Sequence, residues 1–232
     1  MSNPQPTLSP WARFGKRPVD VFAASVLMIV LLPVFLFAAA LIKLTSSGPL
    51  FFIQTRGGRL GQPFRLVKFR TMLGDRKPDP KELVSLHHPD ITRVGLWLRR
   101  LKIDELPQLL NVLRGDMSLV GPRPTLLDQV EAYDDFRRQR LEVQPGVTGL
   151  AQVYASSLAS WDERILYDVA YVRLCSLRLD LWVLLRTVLV VLLGEHRTSH
   201  PFFSTTYAQY VDPPPDLERT HGPSPPRAEA SG

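Results

Sequence analysis

The sequence predicts a predominantly helical α+β protein with a small β-hairpin, an N-terminal re-entrant membrane helix and interfacial amphipathic helices. Three observations carry this reading. Residues 21–42 hold no charged side chain yet are interrupted by Pro33. Two short runs mixing apolar and polar residues, 51–56 and 64–71, flank a turn-rich stretch with Gly57, Gly58, Gly61 and Pro63. Most of the remaining apolar residues recur at helical spacing.

Residues 1–12 carry three prolines and little pattern, and read as a flexible arm. The 22 residues of 21–42 are long enough to span a bilayer. A cleaved signal peptide is not expected, because the run is long and no small-residue cleavage pattern follows it. A straight span is one reading. Against it, Pro33 cannot donate to the carbonyl of Ile29, so a break is expected. Both flanks are also basic, with Arg13, Lys16 and Arg17 before and Lys43, Arg56 and Arg59 after. Positive residues favour the cytoplasmic side, so the two ends prefer the same face, and the re-entrant reading is the favoured one.

The runs 51–56 and 64–71 form a hairpin. Residues 74–81, with Pro78 and Pro80, are a surface loop. Residues 92–101 are helical, with Val94, Trp97, Leu98 and Leu101 on one face. A further helix starts near Asp104, because Pro107 is comfortable only in a first turn, and stops at Gly115. Residues 126–143 read as one amphipathic helix ended by Pro145-Gly146, and residues 161–174 as another. Residues 177–193 are strongly apolar and fit either a core helix or, preferably, one in the membrane interface. From residue 198 prolines and polar residues dominate, so a largely disordered tail is expected.

At 232 residues the chain accommodates one sizeable core. The net charge of +6 is concentrated: residues 56–114 hold 13 Lys/Arg against 6 Asp/Glu. That excess favours anionic partners, namely phosphorylated substrates or an acidic membrane face. Nucleic acid is not expected, since no groove-reading or base-stacking pattern is present. The single cysteine, Cys175, excludes an internal disulfide and fits a reducing compartment.

Candidate chemistry gathers between residues 101 and 124. Asp104 and Glu105 near a helix start suit capping, but two adjacent carboxylates also suit a hard divalent cation, or attack on phosphorus by one of them. Arg123 lies between two prolines in Gly121-Pro122-Arg123-Pro124, a stiff turn that presents a bidentate donor to a phosphate or simply to solvent. Lys68 and Arg70 alternate with Val67 and Phe69 and so share one strand face, either a solvated edge or the wall of an anion site. His87 and His88 read as a solvated pair, and Asp134-Asp135 with the cluster 137–140 as an exposed helical face. No dinucleotide loop, P-loop or Ser/His/Asp pattern is present.

Taken together, these segments resemble the bacterial sugar transferases, the monotopic phosphoglycosyl transferases, in their small, minimal form. The resemblance covers roughly residues 16–194. It rests on Lys16-Arg17-Pro18-Val19-Asp20, Val67-Lys68-Phe69-Arg70-Thr71-Met72 and Asp90-Ile91-Thr92-Arg93-Val94-Gly95. Its core is the run IDELPQLLNVLRGDMSLVGPRP from Ile103 to Pro124. The stretches Pro145-Gly146-Val147-Thr148-Gly149 and Tyr167-Asp168-Val169-Ala170-Tyr171-Val172 complete it. The resemblance implies transfer of a sugar 1-phosphate from a UDP-sugar to polyprenyl phosphate with Mg²⁺, releasing UMP, at the inner leaflet of the bacterial cytoplasmic membrane. It further implies Asp104 as nucleophile forming an aspartyl phospho-sugar, Glu105 completing the dyad, both acids near the metal, and Arg123 clamping phosphate. Arg99, Lys68, Arg70 and Asp180 match positions in or near the family's active-site region.

The implied organisation is an arm at 1–12, a membrane helix-break-helix at 13–47, a cytoplasmic catalytic domain at 48–197 and a Pro-rich tail at 198–232. Two departures stand out. Leu32-Pro33 replaces the family's frequent Ser-Pro at the membrane break, so the backbone group freed by proline must be met otherwise. Some relatives carry an arginine shortly after the Gln-Val pair, and residues 152–157 hold none, which makes the sugar hard to carry over. A pyrophosphate hydrolase and an inactive membrane relative are the competing readings, and a homo-oligomer is left open.

Overall fold

The computed structural model describes residues 8–73, 88–155, 159–193, 199–215 and 217. The surface loop expected at 74–81, His87 and residues 198, 216 and 218–232 of the tail lie outside the described residues.

Residues 8–12 are not part of a loose arm. Trp11–Gly15 forms a π-helical turn that runs directly into helix α1, Lys16–Val30. The turn is held because Trp11 donates its indole N–H to Asp180 (2.8 Å) and Ser9 donates to the carbonyl of Cys175 (2.6 Å). Helix α2, Leu32–Thr45, follows after a single residue, Leu31, and the pair is bent by 60°. Pro33 sits in the first turn of α2, where a missing N–H costs little. The Leu31 N–H donates to the Leu27 carbonyl (2.9 Å) and the Phe35 N–H to the Leu31 carbonyl (3.0 Å), so the backbone ladder closes on either side of the break.

No single helix among the described residues is long and apolar enough to cross a membrane, whereas α1 and α2 together are, by length and composition. Around the bend Val26, Ile29, Val30, Leu32, Leu36 and Phe37 are exposed. The two outer ends are docked. Lys16 pairs with Asp180 at 2.7 Å, Arg17 caps the carbonyls of Val112 and Leu113, and Asp20 accepts from the Leu119 N–H at 3.1 Å. At the far end Ala38 and Ile42 of α2 pack with Phe69 and Leu98.

The hairpin is present as strands β1, Phe51–Gly57, and β2, Pro63–Phe69, antiparallel with Phe52 opposite Lys68 and Arg56 opposite Phe64. Helix α3, Arg93–Arg100, starts at Thr92, whose hydroxyl accepts from the Gly95 N–H (2.8 Å). Residues Ile103–Gln108 form a 3₁₀ turn rather than the first turn of an α-helix, and α4, Leu109–Arg114, continues from it. Gly115 ends α4 in the left-handed conformation, φ +98°. Asn111 is fully buried and joins elements: its amide oxygen accepts from the Val67 N–H (3.1 Å) and its nitrogen donates to the Arg65 carbonyl (2.7 Å).

Two strands of three residues, β3 (Ser118–Val120) and β4 (Gly146–Thr148), pair in parallel. The expected single helix over 126–143 is broken into α5, Leu127–Glu131, α6, Asp135–Arg138, and a 3₁₀ turn at Gln139–Leu141. Asp134 causes the break, because its carboxylate caps a new helix start at the Arg137 N–H (2.7 Å). Helix α7, Leu150–Tyr154, leads to α8, Trp161–Leu174, the centre of the core, with Ile165 to Val172 all buried. Helix α9, Leu177–Leu193, buries Val183 and Val190 and exposes Leu181, Leu185, Val188 and Leu192, so it has one packed and one bare apolar face.

The described part of the tail is ordered against this core. Phe202, Ala208, Val211 and Leu217 are buried, Tyr167 donates to the His200 carbonyl (2.7 Å), and the Phe202 N–H donates to Glu163 (2.9 Å). Pro201 is extended (φ −60°, ψ 140°) and leads into a 3₁₀ turn at Phe202–Ser204.

Candidate active site

Lys102 enters the 3₁₀ turn with φ 56°, left-handed for a residue with a Cβ, a conformation that costs on the order of 1 kcal/mol. Asp104 and Glu105 follow after Ile103 and are 8% and 9% exposed. The 3₁₀ winding suits Pro107, which tolerates a tight turn and lacks the donor a longer α-helix would need.

Three cations converge on this pair from three elements. Lys68 on β2 lies 2.7 Å from Glu105 Oε1, and Arg123 Nη2 lies 3.1 Å from the same oxygen. Arg99 on α3 faces Asp104 while its Nε donates to the Thr71 hydroxyl (2.9 Å). Burial pushes Glu105 up, but Lys68 and then Arg123 outweigh it and hold the carboxyl well below the usual range. For Lys68 burial, the largest influence, pulls the pKa down, and Glu105 opposes it across the short ion pair. Asp104 differs. Burial and then the charge of Glu105 push its pKa above the ordinary 3.8, and among the described residues its carboxylate accepts no hydrogen bond. Glu105 is thus spent on two cations, while its neighbour is left with open oxygens.

Arg123 is aimed by a rigid turn. The Gly121 N–H donates to Thr148 (2.9 Å) and the Gly146 N–H to Pro122 (2.9 Å), laying residues 121–124 against β4. A Cβ on Gly146 would come within 2.1 Å of the Gly121 nitrogen, so this approach requires glycine. Beneath the turn Arg140, 2% exposed, donates to the Arg123 carbonyl (2.9 Å), to the Tyr133 hydroxyl (2.6 Å) and to Asp168. A recess opens beside these groups, lined by Arg56, Leu66, Lys68, Gln108, Arg123 and Pro124.

Residues 11–194 match the family described as bacterial sugar transferase. The chain is 44% identical over 187 residues to the uncharacterized sugar transferase EpsL of Bacillus subtilis (strain 168), covering 80% of this chain and 92% of that one. It is 40% identical over 201 residues to the exopolysaccharide production protein ExoY of Rhizobium meliloti (strain 1021), covering 80% and 89%. It is 45% identical over 187 residues to the UDP-glucose:undecaprenyl-phosphate glucose-1-phosphate transferase of Caulobacter vibrioides, covering 75% and 68%. The chain belongs to the bacterial sugar transferase family.

In this sugar transferase the structure brings together Asp104, Glu105, Lys68, Arg99 and Arg123, five of the positions singled out in the sequence. Two others are engaged elsewhere. Arg70 follows the last residue of β2 and donates to the carbonyls of Ser46 and Ser47, closing the end of α2. Asp180 binds Lys16, Trp11 and Tyr171 and so anchors the start of α1. Lys68 and Arg70 therefore do not act as one strand face, because the strand ends between them. The cluster at 137–140 is not an exposed face either. Arg137 bridges Asp134 and Asp162, and Arg140 is in the core.

Sequence reasoning passed over Lys102, Gln108, Asn111 and Arg56. Only the left-handed Lys102 had no available signal, since nothing in a lysine marks positive φ. The other three lie inside or beside the motifs already noticed. Among the described residues no group of three or more His, Cys, Asp or Glu is placed to hold a metal ion. The available protein donors are the open carboxylate of Asp104 and what remains of Glu105.

Proposed function

We propose that this sugar transferase moves a sugar 1-phosphate from a UDP-sugar to polyprenyl phosphate, giving polyprenyl diphosphate-sugar and UMP, in two steps through Asp104. The observation that carries this is the contrast within the acid pair: Glu105 neutralised by Lys68 and Arg123, and Asp104 beside it buried, raised in pKa and without a hydrogen-bonded partner. A carboxylate so placed is a poor structural element and a competent nucleophile.

In the first step an Asp104 oxygen attacks the sugar-bearing phosphorus. The bond from that phosphorus to the bridging oxygen breaks, and its electron pair leaves with UMP. An aspartyl phospho-sugar, a mixed anhydride, results. In the second step a phosphate oxygen of the lipid attacks the same phosphorus and the Asp104 carboxylate departs, regenerated. Lys68 and Arg123, oriented through Glu105, stabilise charge on the phosphoryl oxygens, and Lys68 and then Arg99 favour the ionised form of Asp104 against burial and Glu105.

The donor set fits Mg²⁺ in the mode where one or two carboxylates and substrate phosphates share the ion. Asp104 and Glu105 would hold it, and it would supply charge neutralisation between the acids and the donor diphosphate.

The same reading assigns α1 and α2 to a re-entrant membrane hairpin, with the enzyme on the cytoplasmic face of the bacterial inner membrane. Its support is that Lys16 and Arg17 at one end and Arg70 at the other fasten both ends to one body, while apolar side chains at the bend are bare. Names of relatives that act on undecaprenyl phosphate, such as the Caulobacter enzyme and a glucose phosphotransferase of Komagataeibacter xylinus, support the acceptor. A panel of UDP-sugars tested for UMP release with and without polyprenyl phosphate checks the proposal. Release that depends on the lipid is expected; equal release without it would indicate a hydrolase.

A further inference from the structure

Arg56 is absorbed by none of the roles above, yet it faces the same recess. The hairpin register sets Phe52 opposite Lys68, Gln54 opposite Leu66 and Arg56 opposite Phe64, so Arg56, Gln54 and Lys68 emerge on one face. That face, with Arg123 and Gln108, lines the recess beside Glu105.

The guanidinium is underemployed for its burial. Among the described residues its hydrogen-bond partner is the neutral Gln54 side chain (2.7 Å), and its Nε is buried with no partner at all. Burial, and then the like charge of Arg123, pulls Arg56 down to about 10, opposed by Asp128 on α5. Glu105 already serves Lys68 and Arg123, so it does not offset this third cation. Such a planar donor, half-buried beside another arginine, is matched by a phosphate group.

We propose that Arg56 binds a phosphate that is not the one under attack, in the recess between Lys68 and Arg123. This rests on the two-step transfer proposed above. Two sources share the chemistry: the leaving phosphate of the nucleotide, or the phosphate of the lipid acceptor. Arg56 is a positioning residue for whichever enters.

The experiment compares wild type, Arg56→Gln, Arg56→Lys and the neighbouring Arg59→Gln, which contacts the Glu142 carbonyl away from the recess. Calorimetric titration with UMP and with inorganic pyrophosphate needs no turnover, so it reads Arg56 even if the proposed reaction is wrong. Arg56→Gln should weaken binding of one or both probes about tenfold or more, Arg56→Lys less, and Arg59→Gln not at all. In kinetics, slower covalent loading from UDP-sugar alone assigns the leaving phosphate. Normal loading with a raised KM for polyprenyl phosphate assigns the lipid phosphate, and in that case an analogue of the lipid phosphate replaces UMP as the binding probe. Arg56→Gln with wild-type binding of all probes and wild-type KM values overturns the proposal. Should Arg56→Gln fail to fold, Arg56→Lys decides alone: weakened binding at an unchanged melting temperature supports the subsite, and wild-type binding overturns it.

Discussion

Lys68 Nζ lies 2.7 Å from Glu105 Oε1, an ion pair that ties the second hairpin strand to the 3₁₀ turn carrying Asp104. Arg123 reaches the same oxygen from a third element. The pair is nearly buried, so removing Lys68 leaves the Glu105 carboxylate to Arg123 alone. Lys68→Met is therefore expected to lower the rate of sugar-phosphate transfer by about 10²-fold or more. Steady-state assays of UMP release check this, and a change below threefold would remove Lys68 from the site.

The pH profile carries a sign. Asp104 must be ionised to attack, and its pKa is raised by burial and then by Glu105. Activity should thus fall with decreasing pH while still above the ordinary value of 3.8. Glu105→Gln removes the neighbouring negative charge and releases Lys68 and Arg123, so the acid limb should move to lower pH even as the maximal rate drops. A limb that moves upward would show that Glu105 does not act on Asp104 electrostatically.

Asn111 offers a test of the scaffold. Asn111→Ala strands the Val67 N–H and the Arg65 carbonyl in a buried setting, a loss of about 3 kcal/mol, or roughly 6–12 °C in melting temperature. Thermal unfolding in detergent measures it. An unchanged midpoint would show that the hairpin is held by other contacts.

In the proposed re-entrant hairpin the docked ends count for more than proline. Pro33→Leu restores a donor but leaves Lys16–Asp180 and Arg70 with Ser46 and Ser47 intact. Both ends should remain cytoplasmic. Single cysteines at Ser2 and Arg59, in a Cys175→Ser background, should resist an impermeant thiol reagent in intact cells for both wild-type and Pro33→Leu chains. Labelling at position 2 alone would show a straight span.

Much of this was legible in the sequence, and the limits have physical causes. The hairpin, α3, α8 and α9 carry strong periodicity and clear stops, and they were found close to their true bounds. The helix over 126–143 was not, because its apolar spacing survives across Asp134 while the capping carboxylate breaks the backbone. Strands of three residues, β3 and β4, are too short for any period to register. In the site, the charge types converging on Asp104 and Glu105 were readable, but their division of labour was not. Which acid is spent on Lys68 and which is left open depends on tertiary placement. The contacts of Arg70 and Asp180 were not readable for the same reason: strand alternation fails one residue past a strand end, and a buried aspartate near a family motif also serves Lys16.

Metal removal tests the donor set. Chelation should stop UMP release and be reversed by added Mg²⁺, because two carboxylates and a diphosphate repel one another without a bridging cation. Full activity in excess chelator would leave Asp104 and the surrounding arginines to act alone.

The central claim is that Asp104 is the nucleophile. Incubating the protein with its UDP-sugar and Mg²⁺ in the absence of polyprenyl phosphate, then recording the intact mass, tests it most directly. The account predicts an adduct of one phospho-sugar on wild-type protein, mapped to Asp104, discharged on adding polyprenyl phosphate and absent from Asp104→Asn. An unmodified protein that still turns over with lipid present, or an adduct that persists in Asp104→Asn, would contradict it.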